Sequence, residues 1–338
     1  MKVLVTGGAG YIGSILSRAL LERGHTVTCL DRLFFGTDSI KQIADKITLI
    51  KADIRWFEPE VLQGIDAVLD LASISNDPSG ELDPGKTLEI NDRGRARVAA
   101  LSKKHKVKKY VLASTCSVYG FQEGMLTEES ALNPLTTYAK ANVLAEREVL
   151  PLADKSFCVT ALRQATVYGF SPKMRFDLAI NGMVLGFFRN GKVPIMRDGD
   201  QWRPFVHVKD TSNAFIKVLE SDNELVKGNI FNVGSDEQNI QVFRLAKLIA
   251  DSIDLPFNYE WYGSPDRRSY KVSFEKIRKT IGYKTVFTPK EGSKEVFEAL
   301  KEGKLDPDDL RTITVKWYHH LLEMQAFLKD VEINGALL

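Results

Sequence analysis

Cysteine is scarce in this sequence of 338 residues, which contains only Cys29, Cys116 and Cys158. No two of them form a C-x-x-C pair, and an odd number cannot pair completely. These features argue against a disulfide scaffold and against a zinc site, so we expect no metal. They are typical of the reducing cytoplasm, which is where we place the protein.

Long apolar runs and a strong net charge are also absent. No run approaches the roughly 20 residues that a membrane-spanning helix needs, and the formal net charge is +2. Strand-like residues already begin at Lys2, so we expect no signal peptide before the fold. The basic run at 103–109 is interpreted as the solvated end of a helix. We therefore expect neither a membrane nor a nucleic acid as partner.

Short β-branched runs alternate with amphipathic, helix-length stretches in the first half of the chain. The predicted strands are 2–6, 26–31, 47–51, 67–71, 110–113 and 158–163. The predicted helices between them include 12–23, 88–104 and 137–150. This alternation predicts an α/β fold with a parallel sheet covered by helices on both faces.

After Gly169 the alternation loosens. A helix is predicted at 176–185, a loop at 190–203, a strand and a helix within 205–220, and a further strand at 229–233. We therefore predict two lobes that interleave in sequence. The cofactor lobe takes 1–170 plus about 204–237, the substrate lobe about 171–203 plus 238–325, and a tail 326–338.

A glycine-rich turn, VTGGAGYIG at 5–13, lies where the first strand should pass into the first helix. Glycine permits a tight turn and lets backbone amides approach a pyrophosphate, which the positive end of the helix attracts. The turn fits GxGxxG from Gly8, or GxxGxxG from Gly7. The residues expected to contact a dinucleotide here are Gly7, Gly10, Tyr11, Ile12 and Gly13.

Asp31 ends the second predicted strand, near the spacing of about 20 residues expected for the acid that binds the adenosine ribose. A carboxylate there repels a 2′-phosphate, which favours NAD over NADP. Arg32 points the other way, because a neighbouring arginine accommodates such a phosphate. Asp53, followed by Ile54, is a candidate adenine contact, with a plain turn aspartate as the alternative.

Further motifs follow in order: STCSVYG at 114–120, Tyr138, and the segments 162–169 and 201–210. With the glycine turn they resemble the extended short-chain dehydrogenase/reductase family, particularly its NAD-dependent sugar epimerase/dehydratase group. The resemblance implies a Rossmann doubly wound sheet with a smaller, interleaved C-terminal substrate lobe. It also implies NAD as cofactor, contacted by Leu71 and Ala72 among others, and a homodimer formed through helices 88–104 and 137–150.

The resemblance implies that Tyr138 is the catalytic acid/base and that the Thr115 hydroxyl polarises the same substrate oxygen. Hydride loss from a sugar carbon requires such a base for the hydroxyl proton. The family pattern is Tyr-x-x-x-Lys, whereas this chain reads YAKAN at 138–142. Asn142 is able to hydrogen-bond the nicotinamide ribose but brings no charge to lower the tyrosine pKa. This departure leaves open a non-catalytic NAD-binding sensor or scaffold.

The middle of the STCSVYG motif narrows the reaction. Cys116 and Ser117 stand where 4,6-dehydratases of the family carry an Asp-Glu pair, so dehydration is disfavoured. We expect Cys116 to be a buried apolar residue.

A nucleotide-diphosphate sugar requires basic, donor-rich partners. The resemblance assigns Arg203 to a substrate phosphate and Asn181 to the nucleotide pocket. The other candidate substrate contacts are Ser73, Thr115, Thr166, Arg175, Arg267 and Arg268.

Together these observations predict an NAD-dependent nucleotide-sugar 4-epimerase. Tyr138 would take the C4 hydroxyl proton while NAD takes the C4 hydride, and the hydride would return to the other face of the turned 4-keto sugar. The nearest alternative is a one-way 4-dehydrogenase or 4-keto reductase that uses the same residues.

Overall fold

The computed structural model describes residues 1–264, 268–333 and 335. Its strands, in chain order, are β1 (Lys2–Thr6), β2 (Thr26–Asp31), β3 (Ile47–Lys51), β4 (Ala67–Asp70), β5 (Lys109–Thr115), β6 (Phe121–Leu126), β7 (Cys158–Gln164), β8 (Thr166–Tyr168), β9 (Val193–Met196), β10 (Trp202–His207), β11 (Ile230–Val233), β12 (Asn239–Gln241), β13 (Tyr259–Tyr262) and β14 (Ser269–Val272). Its α-helices are α1 (Tyr11–Glu22), α2 (Asp77–Gly80), α3 (Pro84–Leu88), α4 (Arg95–Lys104), α5 (Thr137–Val149), α6 (Ala179–Asn190), α7 (Val208–Glu220), α8 (Asn223–Val226), α9 (Val242–Ser252), α10 (Glu275–Ile281), α11 (Pro289–Lys301) and α12 (Thr314–Val331).

A seven-stranded sheet in the order β11-β7-β5-β4-β1-β2-β3 forms the centre of the first lobe, and its neighbouring strands are all parallel. Strand side chains alternate between its two faces. Val3 and Val5 belong to one apolar cluster, whereas Leu4 between them belongs to another. Because both faces are covered, the central strands consist of almost continuous apolar residues.

Helices cover each face of this sheet. α1 and α7 contribute Leu16, Leu20 and Phe215 to the cluster on one face. α4 and α5 contribute Val98 and Val149 to the cluster on the other. The predicted doubly wound, Rossmann-type sheet is therefore confirmed.

The second lobe has an apolar core of its own, in which α6, α9 and α11 pack together. Ile180, Val184, Leu245, Ile249 and Val296 are all buried within it. A small sheet in the order β12-β10-β8 leads from the end of β7 into this lobe. The second lobe thereby covers the edge of the large sheet at which its parallel strands end.

Three predicted elements were wrong in part. The helix predicted at 88–104 is divided, because a π-helical segment, Glu89–Gly94, precedes α4. The helix predicted at 176–185 instead spans Ala179–Asn190, because Leu178 is still extended and caps its beginning. The loop predicted at 190–203 contains β9 and the start of β10. These short strands are paired through tertiary contacts, β9 with β13 and β10 with β8.

The basic run at 103–109 was predicted to be a solvated helix end, and this is wrong for its last residue. Lys103 and Lys104 do close α4, but Lys109 is buried in β5. Its ammonium group donates to the carbonyl oxygens of Val218, Leu219 and Ser221 at 2.8–3.1 Å, which satisfies the end of α7. This lysine therefore has a structural partner.

In the part of the chain that the structure describes, no helix combines the length and the apolar character needed to cross a membrane. No cluster of three or more His, Cys, Asp or Glu side chains suited to a metal ion occurs among those residues either.

Candidate functional site

A cavity of about 690 Å³ lies between the carboxyl ends of the sheet strands and the second lobe. In open parallel sheets ligands bind at this edge. The predicted site residues that line it are Gly7, Gly10, Tyr11, Ile12, Gly13, Asp31, Asp53, Ile54, Leu71, Ala72, Ser73, Thr115, Tyr138, Thr166, Arg175, Arg203 and Arg268. The cavity is thus continuous from the glycine turn to the substrate lobe.

The glycine turn leaves no room for side chains. Gly7 has a φ of +67°, and a β-carbon on it would lie 3.0 Å from Ala72. A β-carbon on Gly13 would lie 2.2 Å from the carbonyl oxygen of Gly7. The N-cap of α1 is Gly10, which offers no capping side chain. The helix therefore presents backbone N–H groups to the cavity, as a pyrophosphate requires.

Asp31 is fixed at the end of β2 by two backbone donors. Its carboxylate accepts hydrogen bonds from the N–H of Leu33 at 2.7 Å and of Ala9 at 3.0 Å. Burial raises the pKa of Asp31, and these hydrogen bonds oppose that rise. Each oxygen keeps further acceptor capacity for a ribose hydroxyl.

Asp53 is a turn residue that also pairs with arginines, since its carboxylate accepts from the N–H of Arg55, two residues further on, at 2.9 Å. Arg32 donates to it at 2.6 Å, and Arg55 donates to both of its oxygens at 2.9–3.0 Å. Although burial opposes the shift, hydrogen bonds from Arg55 and Arg32 lower the pKa of Asp53 to about 2. Arg32 is consequently held toward Asp53 in the wall of the cavity.

Lys173 is a lining residue that the sequence interpretation missed. Its ammonium group lies 3.7 Å above the ring of Phe35. Burial, with a smaller contribution from Arg175, lowers the pKa of Lys173 to about 7. Asp31 and Asp309 act in the opposite direction.

The last long helix also closes the cofactor end of the cavity. Thr314 and Tyr318 of α12 line the cavity, and the Tyr318 ring packs against Phe34 and Phe35. The indole N–H of Trp317 donates to the Phe34 carbonyl oxygen at 2.7 Å. No sequence motif marked this helix as part of the site.

Tyr138 lies in the first turn of α5, whose N-cap Thr136 accepts a hydrogen bond from the N–H of Ala139. Thr115, at the end of β5, accepts one from the N–H of Ser117 at 3.1 Å. The two predicted catalytic hydroxyls thus come from different elements and face the same cavity.

Several groups act on the Tyr138 phenol. Burial raises its pKa, and the negative charge of Asp77 adds to the rise. The charge of Arg95, a hydrogen bond from Thr115 and the charge of Arg175 lower it, in that order. Asp77 also lines the cavity, and sequence reasoning had not singled it out.

Asn142 is buried behind Tyr138 and is not among the described residues that line the cavity. Its amide nitrogen donates to the Tyr138 carbonyl oxygen at 2.9 Å. Its amide oxygen accepts from the Arg95 guanidinium at 3.0 Å. This arrangement gives Asn142 protein partners in place of the expected ribose contact.

The substrate end of the cavity is rich in arginine. Arg203 donates to the carbonyl oxygens of Trp202, at 2.9 Å, and of Arg268, and lies 5.4 Å from the centre of the Tyr270 ring. Arg268 also pairs with Asp77. Arginines held in place by protein partners suit bidentate recognition of a diphosphate.

Arg175 is more enclosed than a surface phosphate ligand. It pairs with Asp177 through two hydrogen bonds of 2.9–3.0 Å and donates to the carbonyl and hydroxyl oxygens of Ser75 at 3.1 Å. Asn76 donates to the same Asp177 carboxylate at 2.7 Å. These contacts join the loop after β4 to the second lobe across the cavity.

Asn181 and Arg267 are the remaining predicted substrate contacts. Asn181 is not among the described residues that line the cavity. Its amide oxygen accepts from the N–H of Gly169, and its amide nitrogen donates to the Tyr11 hydroxyl and to the Arg175 carbonyl oxygen. Arg267 lies outside the described residues. Asn181 therefore supports the wall that Tyr11 and Arg175 form.

Cys116 is buried, as expected, and its thiol donates to the Arg163 carbonyl oxygen at 3.2 Å. Burial raises the pKa of this thiol well above its usual range. The thiol has neither the position nor the acidity of a catalytic acid in the described cavity.

A family model described as the NAD-dependent epimerase/dehydratase family matches residues 3–234. A UDP-glucose 4-epimerase of Lactobacillus helveticus is 29% identical over 307 residues, which are 84% of this chain and 92% of that protein. A UDP-N-acetyl-alpha-D-glucosaminuronate decarboxylase of Bacillus cytotoxicus is 27% identical over 325 residues, which are 90% and 99% of the two chains. Sequence similarity thus extends over relatives with different reactions.

Among solved structures, MoeE5 in complex with UDP-glucuronic acid and NAD is similar with a TM-score of 0.79. It is 26% identical in sequence, and the alignment covers 90% of this chain and 100% of that one. The similarity therefore extends through both lobes.

Proposed function

Since the chain belongs to the NAD-dependent epimerase/dehydratase family of enzymes, we propose that it binds NAD and epimerises a nucleotide-diphosphate sugar at C4. The observation that carries the proposal is the juxtaposition of Tyr138 and Thr115. Their hydroxyls face one cavity that extends from Asp31 to Arg203. A phenol in this position is able to exchange a proton with a sugar hydroxyl.

The glycine turn and Asp31 fit the two ends of the adenosine diphosphate part of NAD. The turn leaves space for a pyrophosphate at the start of α1, and Asp31 has acceptors for ribose hydroxyls. NAD, when bound, supplies the capacity to accept the hydride of sugar C4 and to return it.

The chain's own residues handle the proton. Tyr138 takes the proton of the C4 hydroxyl as the sugar is oxidised, and gives it back when the 4-keto group is reduced. A hydrogen bond from the Thr115 hydroxyl to the phenol oxygen lowers the pKa of Tyr138. It thereby favours the deprotonated form, which is the form that accepts the proton. Both steps are balanced, because the proton and the hydride removed in the first step are restored in the second.

Arg203 and Arg268 support binding of the diphosphate at the far end of the cavity. A sugar anchored through its phosphates is able to turn about the bonds that join them, while the reacting carbon stays near Tyr138. Epimerisation needs this turn, because the hydride must return to the opposite face. The UDP-sugars named with the relatives make UDP-hexoses and UDP-hexuronic acids the first substrates to test.

A one-way 4-dehydrogenase or 4-keto reductase is the second candidate, since the relatives include a protein named for a different reaction. The same Tyr138 and Thr115 would act in a 4-dehydrogenase or a 4-keto reductase. A non-catalytic NAD-binding sensor is less well supported, because both hydroxyls and Arg203 are in place.

The test is proton NMR and mass spectrometry of the purified protein with UDP-glucose, UDP-glucuronic acid and GDP-, CDP- and dTDP-hexoses in D₂O. We expect a C4 epimer of unchanged mass without solvent deuterium at C4, since the hydride returns directly. Tyr138→Phe is the control, since it keeps the ring and removes the proton acceptor. It should retain NAD and lose at least about 100-fold in turnover.

Other products would overturn the proposal. Accumulation of NADH with a sugar two hydrogens lighter would indicate a dehydrogenase, and loss of water a dehydratase. Equal turnover by Tyr138→Phe would remove the assigned role of the phenol.

A further inference from the structure

Arg95, the first residue of α4, is almost completely buried, with 1% of its surface exposed. It lies between the large sheet and α5, at the ends of β4 and β5. Its guanidinium donates to the Asp70 carboxylate at 3.3 Å, to the Asp70 carbonyl oxygen at 3.1 Å and to the Ala113 carbonyl oxygen. A fourth hydrogen bond, of 3.0 Å, goes to the amide oxygen of Asn142.

The Asp70 carboxylate, which is the negative partner of this guanidinium, has two further donors. The Thr6 hydroxyl and the Tyr110 hydroxyl both donate to the Asp70 carboxylate. Asp70 is thus fixed by neutral donors in β1 and β5, and it is itself fully buried. Nη1 of Arg95, the nitrogen that donates to Asn142, is the part of the cation directed toward α5.

Asn142 connects this cation to the turn that carries Tyr138. Its amide nitrogen donates to the Tyr138 carbonyl oxygen at 2.9 Å, which fixes its amide oxygen toward Arg95. Residues four apart lie on the same face of a helix, so a side chain at position 142 of α5 is a neighbour of the Tyr138 side chain. In this chain that position holds a neutral amide with a buried cation behind it.

We propose that Arg95 is a positioning residue for Tyr138, and that its buried charge, held in place by Asn142, takes the role of a lysine at position 142. The inference rests on the proposed function of Tyr138 as the proton acceptor. On this proposal, Arg95 supplies the cation that α5 itself lacks at position 142.

The charges around Tyr138 agree with this geometry. Burial and Asp77 raise the pKa of Tyr138, and Arg95 has the largest effect among the groups that lower it, ahead of Thr115 and Arg175. Each of these charges has an ionic partner: Arg175 is paired with Asp177, Asp77 with Arg268, and Arg95 with Asp70.

The test follows the phenol directly and needs no substrate. The NAD-bound protein is labelled with [¹³Cζ]-tyrosine, the Tyr138 signal is assigned by its loss in Tyr138→Phe, and its ionisation is titrated. We expect Arg95→Gln to raise the titration midpoint by about one pH unit. Arg95→Lys should keep most of the wild-type behaviour, and adding Asn142→Lys to Arg95→Gln should restore it.

An unchanged midpoint in folded Arg95→Gln would overturn the proposal, and so would a failure of the added lysine to restore it. If Arg95 were purely structural, these variants would change the stability of the protein without changing the titration midpoint of the Tyr138 phenol. If Arg95→Gln does not fold because Asp70 loses its cation, Asp70→Asn becomes the reference, and Asp70→Asn combined with Arg95→Gln should have the higher midpoint of the two.

The kinetic counterpart separates this inference from the proposed function. On a substrate that turns over, the acidic-limb midpoint of kcat, where the rate rises to its plateau, should move to higher pH in Arg95→Gln as the NMR midpoint does. If no nucleotide sugar is turned over but the NMR midpoint still shifts, the proposed function fails. The role of Arg95 in lowering the pKa of the Tyr138 phenol then stands.

Discussion

A β-carbon on Gly13 would lie 2.2 Å from the carbonyl oxygen of Gly7, well inside contact distance. Gly13→Ala must therefore displace the turn that presents amides to the cavity. We expect the bound NAD per protein to fall at least tenfold, and the free energy of unfolding to fall by about 1–3 kcal/mol. Chromatography of released nucleotide and urea unfolding measure the two effects. Gly85→Ala in α3, outside the described lining, is the control, and an equal NAD loss there would contradict the account.

Asp31 should determine the choice between NAD and NADP. Its carboxylate stands at the cavity wall and would repel a 2′-phosphate, whereas a neutral amide at this position would not. We expect Asp31→Asn to weaken NAD binding and to lower the preference for NAD over NADP by at least about tenfold, or about 1.4 kcal/mol. Calorimetric titration of both cofactors measures this ratio. The exposed Asp45→Asn is the control, and an unchanged ratio in Asp31→Asn would assign the preference to other groups.

The first lobe was predictable because its signals are local. β2 and β3 have the predicted bounds, since each is a β-branched run flanked by breakers. The glycine turn could also be predicted from the sequence. The close approach of Gly13 to Gly7 requires glycine at these positions and so fixes the spacing of the glycines in the motif. The second lobe was less readable, since β9 exists through its pairing with the distant β13.

The site was predictable only where a motif carries it. Tyr138 and Thr115 lie in recognisable contexts, and both line the cavity. Arg95 had no such signal, because it stands between Arg93 and Arg97 in the sequence and arginines are mostly exposed. Its burial depends on Asp70 and Asn142, which lie 25 and 47 residues away in sequence. Pairings over such separations are fixed by tertiary structure.

Lys173 should make stability depend on pH. Burial lowers its pKa to about 7 in the folded chain, from 10.5 ordinarily. Between these values the unfolded chain holds a proton that the folded chain has lost, so the free energy of unfolding rises with pH. From pH 7 to 9 wild type should gain up to about 3 kcal/mol relative to Lys173→Met. Urea unfolding at both pH values measures this, with exposed Lys41→Met as control. A difference independent of pH would show that Lys173 stays charged.

Thr115 should affect both the rate and its pH dependence. Its hydroxyl bonds the Tyr138 phenol and lowers the pKa of that phenol against the effect of burial. Thr115→Val removes the bond, so the pKa of Tyr138 rises and the rate reaches its plateau at a higher pH. We expect kcat to fall about 100-fold with little change in KM, whereas Thr115→Ser should keep most of the activity and the wild-type profile. Since Thr115 also accepts from the N–H of Ser117, thermal unfolding of both variants must accompany the kinetics. A slow, stable Thr115→Val with an unshifted profile would mean that Thr115 orients the sugar without tuning the phenol.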